Sequence, residues 1–362
     1  MPSLDSLTPD KYQNIILGLT AERTIVVKGV VGSGKSLTLL KKAKQVSTYS
    51  ESYAIIVYTK SLKQFFVEEL AEIGQTEGHV YYFEEWQRSD KPHFTYMFVD
   101  ECQDFNAEEI DDFRHHGTYC WFFGDTTQSI MEFRPTNDTP GHNVQSVEET
   151  ARKIGVQPQK LVINHRLTIE NAKVGEHIKP ETRLSETCYK HGPKPLLIHS
   201  TNPHNQLDTI IEKISSANIT NAGILAYYND EVIAIRDYFA QRGTPVQWKT
   251  NDGMEIDFQS TNPIVINWHC SKGLEFPYVF IPFCGYGDYA TFTNPRFNDP
   301  VISEISALFV ATTRPLEQMF LLYTGTLCRD LPPATSDIYA NPQLQNIQPI
   351  LQIPQTPDDL PF

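Results

Sequence analysis

The residues Gly29 to Ser36, GVVGSGKS, have the spacing Gly-x4-Gly-Lys-Ser. That spacing suits a grip on a phosphate chain. Glycines let backbone N–H groups turn towards phosphate oxygens, and a helix that starts directly after them adds its partial positive charge. Gly32, Ser33 and Gly34 would form the cradle, Lys35 would reach the β and γ phosphates, and Ser36 would offer its hydroxyl to Mg²⁺. A second string, FVDECQD, ends an apolar run on Asp100 and Glu101. Hydrolysis of a phosphoanhydride needs a further metal anchor and a group that polarises water. Asp100 suits the first task and Glu101 the second.

These residues need elements to hold them. Thr24 to Val27, TIVV, is a β-branched run leading into glycine, as a buried parallel strand does. The following SLTLLKKAKQV puts Leu39, Leu40, Ala43 and Val46 on one helical face. Upstream, Thr8-Pro9-Asp10 has the form of a helix start, with Thr8 as the cap and Pro9 in the first turn. Apolar runs at 53–58, 96–100 and 120–125 alternate with polar helical segments, which predicts a doubly wound parallel sheet. The chain turns polar from Asn137 to Lys160, where a crossover is expected. Strand-like runs then resume as KLVIN, AGILAYY, PIVINW, YVFIPF, LFVATTR and MFLLYTG. The fold class is therefore α/β with two tandem domains, 1–150 and 151–330. The tail 331–362, rich in Pro, Gln, Asn and Asp, is expected to be disordered or laid on a partner.

Bulk properties narrow the class. The 362 residues are 40% apolar and 20% charged, without a run of eighteen apolar residues, so a membrane span is not expected. The start of the chain lacks the charge and apolar core of a secretory signal, and the cytoplasm is the expected location. Six scattered cysteines without a CxxC pair read as reduced thiols, and the adjacent His115 and His116 as a solvated face. A net charge of −14 excludes a protein that coats nucleic acid by bulk attraction and confines any such contact to a local groove.

VDECQDF followed by FFGDTTQSIMEFR resembles the second and third motifs of the UvrD/Rep/PcrA group of superfamily 1 helicases. LVINHR, INWHCSKGLEFPYVFI and ALFVATTRP are similar to the fourth, fifth and sixth motifs, in order. YQNIIL resembles the adenine-reading glutamine motif and VYTKSLKQF a motif that touches single-stranded DNA. The resemblance implies two RecA-like domains with ATP and Mg²⁺ between them. It implies that Gln128 senses the γ-phosphate, and that Arg166 and Arg314 reach the transferring phosphoryl group from the second domain. Gln13, His165, Gly273 and Glu275 would lie on the nucleotide, with Glu275 on the ribose. Tyr58, Thr59, Phe133 and His269 occupy places that contact the nucleic acid; Trp86 and Trp268 read as core.

The chain also departs from the pattern. His165 stands where a tyrosine usually stacks on adenine, and Glu84 and Glu85 lie where a phosphate backbone is usually met. Pro315 replaces an alanine, and Ser306 stands near a place often held by arginine. The short intervals from Thr59 to Asp100 and from Arg166 to Pro263 leave little room for that group's large accessory domains. The expected function is an ATP-driven translocase on single-stranded DNA, with RNA as the other strand type and 3′ to 5′ polarity implied by the resemblance. A protein partner such as a nuclease is expected. The alternative is an ATP-hydrolysing regulatory switch.

Overall fold

The computed structural model describes residues 8–50, 52–58, 60–72, 80–130, 144–250, 255–285 and 302–341. Its elements are α1 Lys11–Gly18, β1 Ile25–Gly29, α2 Lys35–Ser47, β2 Tyr53–Val57, α3 Lys60–Glu72, β3 Val80–Tyr82, α4 Phe83–Arg88, β4 Phe94–Val99, α5 Ala107–His116 and β5 Gly117–Gly124. Then follow α6 Val147–Ile154, β6 Gln159–Leu161, β7 Asn164–Thr168, α7 Ile169–Ile178, β8 Cys188–Lys190, β9 Leu196–Ser200 and α8 Pro203–Ser216. The last are β10 Gly223–Ala226, α9 Asn229–Gln241, β11 Gln247–Lys249, β12 Ile264–Asn267, β13 Phe276–Ile281, α10 Ile302–Thr312 and β14 Pro315–Thr324.

Two six-stranded sheets result, with strand orders β3-β2-β4-β5-β1-β6 and β11-β12-β10-β13-β14-β9. The pairings within both are parallel. Each sheet is covered on both faces, which is why its strands read as unbroken apolar runs instead of alternating ones. Val27 faces the layer of Leu39, Leu40 and Phe66, whereas its neighbour Val26 faces Phe105, Phe113 and Trp86. Leu225 and Ile224 divide in the same way between two cores of the second sheet. The α/β class with parallel sheets is as the sequence predicts.

Three features differ from the sequence reading. The first helix is capped by Asp10, whose Oδ1 accepts from the N–H groups of Tyr12 and Gln13, so Thr8 and Pro9 lie outside it. β6 pairs with β1, so the first sheet takes its last strand from beyond residue 150. Residues 331–341 are packed: Leu331 and Tyr339 are buried in the second core, and the Asn341 amide bonds both backbone groups of Leu197. Residues 342–362 lie outside the described set.

Between the sheets sits a smaller cluster. Val31, in the loop after β1, is 1% exposed and packs with Leu167, Ala172 and Phe309. Burying such a side chain contributes about 1.5–3 kcal/mol. An apolar residue of the phosphate loop thus seats in the second half of the chain.

Candidate active site

The loop from Val30 to Gly34 turns through two left-handed residues, Gly32 at φ 64° and Gly34 at φ 73°. A side chain carries strain at both, and at Gly32 it would fail on space as well. A Cβ at Gly32 would lie 2.5 Å from Asn164 Oδ1, and one at Gly34 2.5 Å from Gln13 Nε2. Lys35 is buried and donates to the carbonyls of Gly29 and Val30 at 3.2 and 3.3 Å, with Asp125 at 3.9 Å. A phosphate chain would have to replace those carbonyls as its partners. The Ser33 hydroxyl is buried without a hydrogen-bond partner, a vacancy that suits a phosphate oxygen.

Ser36 Oγ donates to Asp100 Oδ2 at 2.6 Å. The two make a hard oxygen pair of the kind Mg²⁺ selects, so the residues present fit that ion. Burial, then the adjacent Glu101, push the Asp100 carboxyl up to about 7 against the pull of Ser36 and Lys35. Glu101 behaves oppositely. Burial raises it, but Lys272, Lys35, Gln103 and Arg314 together hold it down at about 2. Glu101 also has φ 51°, a left-handed conformation that a β-carbon disfavours. Gln103 fixes its carboxylate with a 2.6 Å bond and accepts from the Asp125 N–H through its own Oε1.

The turn Thr126 to Gln128 follows β5 and is capped by Asp125. Cations from the second half of the chain converge on it. Arg314 Nη2 donates to Gln128 Oε1 at 3.0 Å, and Lys272 Nζ donates to the Gln128 carbonyl at 2.8 Å. Lys272 also bonds Asp104 at 2.5 Å and lies 3.7 Å from Glu101. Arg314 is further held by the carbonyls of Val310 and Leu274. Arg166 pairs with Glu275, its Nε donating to Oε1 at 2.7 Å, and bonds the Thr313 carbonyl. Burial raises the Glu275 carboxyl and Arg166 more than reverses this, leaving it below the usual range.

Ser33, Gly34, Lys35, Ser36, Glu101, Gln128, Arg166, Gly273, Glu275 and Arg314 all line one small cavity of about 70 Å³. It shares Gly32, Gly34, Arg166 and Glu275 with a larger cavity of about 800 Å³ that runs on past Gln13, His165 and Tyr189. The pair has the form of a narrow phosphate end opening into room for a nucleoside. At the wide end Gln13 donates to the Ser33 carbonyl and accepts from the Asp10 N–H. His165 spans Asp10 Oδ2 at 2.7 Å and the Tyr189 hydroxyl at 3.3 Å. Its ring meets Tyr189 edge to face.

The expected nucleic-acid contacts fare differently. Tyr58 is 6% exposed, between Phe83 and Phe105 at centroid distances of 6.0 and 5.2 Å, so its ring serves the core and offers no face to a base. His269 is half-buried 6.0 Å from the Tyr227 ring, and burial, then Lys272, push it below the usual histidine range. Thr59 and Phe133 lie outside the described residues. Trp86 and Trp268 are core, as expected. Glu84 and Glu85 are engaged by Arg88 and Lys63. His116 pairs with Asp112, and no metal-binding cluster of His, Cys, Asp or Glu occurs among the described residues. Lys272, Gln103 and Asp104 were missed as site residues although they stand inside the strings SKGLEF and DECQD.

One likeness covers the first half of the chain and the start of the second. A family model of the viral superfamily 1 RNA helicase core domain matches residues 25–231. The chain belongs to that family. Membership in this helicase core implies an NTP-hydrolysing enzyme. Among solved structures, S. cerevisiae Dbp5 bound to RNA and ADP BeF3 matches with a TM-score of 0.53 at 12% identity, over 88% of this chain and 84% of that one. That likeness shows the fold, two RecA-like halves. Arterivirus nonstructural protein 10 (helicase) matches at 14% identity with a TM-score of 0.44, over 88% of this chain and 63% of its own. The same arterivirus helicase with DNA gives 15% identity and 0.42, over 88% and 64%. A search of curated proteins finds no match. No described helix is long and apolar enough to cross a membrane.

Proposed function

We propose that the protein is an ATPase of the UvrD-like kind that moves along a single strand of DNA. One observation carries this reading: Arg314 and Arg166, from the second half of the chain, line the same cavity as Lys35 and Glu101 from the first. A nucleotide there would touch both halves. Its hydrolysis would weaken the contact and let them part, which converts chemistry into relative motion.

In this reading the domains are 1–150, completed by β6, and 151–330, extended by the packed segment 331–341. Lys35 leaves the loop carbonyls for the β and γ phosphates. Ser36 and Asp100 would hold Mg²⁺, which when bound neutralises phosphate charge. Glu101, ionised at neutral pH, accepts a hydrogen bond from the attacking water and orients it. Gln128 senses the γ-phosphate, and Arg166 and Arg314 neutralise charge on the transferring group. The base lies in the wide cavity beside Gln13 and His165. The 3′ to 5′ polarity, a nuclease or similar partner and a cytoplasmic location complete the proposal. His269 and Phe133 are its remaining aromatic contacts to the strand.

Steady-state ATPase assays with no nucleic acid, single-stranded DNA of increasing length, and single-stranded RNA test it. DNA-stimulated turnover that grows with strand length supports the motor. The description of the matched family makes stronger RNA stimulation the informative alternative, and it would move the substrate to RNA. The burial of Tyr58 favours a second reading, an ATP-operated switch that never walks on a strand. Turnover indifferent to both strand types would replace the motor by that switch.

A further inference from the structure

Lys179 ends α7 as its C-cap residue and belongs to none of the motifs in the sequence. Its Nζ donates to the Thr127 carbonyl at 2.6 Å and to Ser306 Oγ at 2.9 Å, and lies 5.2 Å from the centre of the Phe309 ring. The contacts lead to two different parts of the phosphate site. Thr127 precedes Gln128 in the turn that Arg314 and Lys272 grip. Ser306 and Phe309 are on α10, which ends two residues before Arg314. α7 itself begins directly after β7, the strand that carries Arg166. A single ammonium therefore touches the turn of Gln128 and joins it to the two helices next to the arginines, α7 just after the strand of Arg166 and α10 just before Arg314.

The contacts suit a mechanical role. Hydrogen bonds from an ammonium are charge-assisted and stronger than neutral ones. α7 and α10 are packed closely enough to move together, since a Cβ on Gly175 would lie 3.4 Å from Thr313 and 3.5 Å from Phe309. Ser306 is 3% exposed, and Lys179 supplies the partner that its buried hydroxyl requires. The cation that meets Ser306 comes from the end of the neighbouring helix.

We propose that Lys179 is a positioning residue: it ties the Thr126 to Gln128 turn to the arginine-bearing half, so that Gln128 follows the arginines as the cleft opens and closes. This rests on the nucleotide-hydrolase reading above.

The test compares the full chain with Lys179→Met, which keeps the stem and loses the charge, and with the double variant Lys179→Met/Ser306→Arg, which returns a cation from α10. Amide hydrogen exchange of residues 125–130 and ATPase kinetics are measured on each. In Lys179→Met, exchange in the turn should quicken and kcat fall by about tenfold, with KM within about twofold. The double variant should restore both. Unchanged exchange overturns the tie. Faster exchange with unchanged kcat reduces Lys179 to a brace and overturns the positioning role. A wild-type chain that hydrolyses no nucleotide overturns the function reading instead, and the exchange data alone then decide whether Lys179 holds the turn.

Discussion

Arg314 Nη2 lies 3.0 Å from Gln128 Oε1, across 186 positions of chain and from one half of the fold to the other. The same guanidinium is braced by two backbone carbonyls, so its direction is fixed before any nucleotide arrives. Arg314→Ala should lower kcat by about a thousandfold, the scale on which such cations act in phosphoryl transfer, while nucleotide affinity changes only a few-fold. Arg314→Lys should recover little, because an ammonium cannot reproduce the planar fork. Steady-state kinetics and a fluorescent-nucleotide titration check both, and near-normal turnover in Arg314→Ala would take the residue out of the reaction.

Lys272 is the hub of the buried charges, bonded to Asp104 and near Glu101. Lys272→Met leaves two carboxylates without their cation and should cost about 3–5 kcal/mol in denaturant unfolding, as breaking a buried pair does. Asp104 gives the pH signature. Burial outweighs Lys272 and pushes its carboxyl from 3.8 up to about 6. Between these values the folded chain holds a proton that the unfolded chain has released, so this group adds stability as pH falls from about 6 towards 4 and adds none above. Asp104→Asn removes the titration. The wild type should therefore gain in melting temperature relative to Asp104→Asn as pH falls across that interval, and a wild type that loses ground to the variant there would contradict the assignment.

Much of this was legible in the sequence because local physics and function coincide there. The phosphate loop needs glycines at fixed places, and doubly covered strands need unbroken apolar runs, so Gly32, Gly34, Asp100 and both sheets could be read directly. What resisted reading depends on contacts between distant residues. Nothing local distinguishes Lys179 from a solvated lysine, and Lys272, although it stands inside SKGLEF, has no local sign of its carboxylate partners; only the fold brings both to the Thr126 to Gln128 turn. Tyr58 erred the other way. It follows an apolar strand at a place that suggests a base contact, but Phe83 and Phe105 enclose it. The packed segment 331–341 was hidden by its polar composition, since Leu331 and Tyr339 are its buried anchors, Ala334 and Ile338 pack on the same core half-buried, and Asn341 pairs with β9.

The enclosure of Tyr58 separates packing from recognition. Tyr58→Ala should destabilise the fold by about 3–5 kcal/mol, in the range of other large aromatic deletions. Tyr58→Phe keeps the ring and should leave nucleic-acid stimulation of turnover within about twofold of wild type. Thermal melts and strand-stimulated ATPase assays read the two effects. Strong loss of stimulation in a stable Tyr58→Phe would return the residue to the nucleic-acid interface.

Gly32 and Gly155 offer a matched pair for the phosphate loop. Both have positive φ, 64° and 80°, so alanine at either carries the left-handed strain of about 1–2 kcal/mol. Their surroundings differ. A Cβ at Gly155 meets nothing within 4 Å, whereas one at Gly32 would lie 2.5 Å from Asn164 Oδ1 and 2.6 Å from Arg166 Cβ. Gly32 also accepts the His165 N–H at 2.9 Å through its carbonyl, so the loop and β7 cannot part without losing that bond. Alanine at 32 must therefore push the strand that carries Arg166 away from the phosphates. Gly32→Ala should lose more stability than Gly155→Ala, because the clash adds to the shared strain, and only Gly32→Ala should reduce kcat/KM for ATP, by about a hundredfold, as expected when a reacting geometry shifts by an ångström. Equal activity in the two variants would mean that the approach of β7 to the loop has no part in turnover.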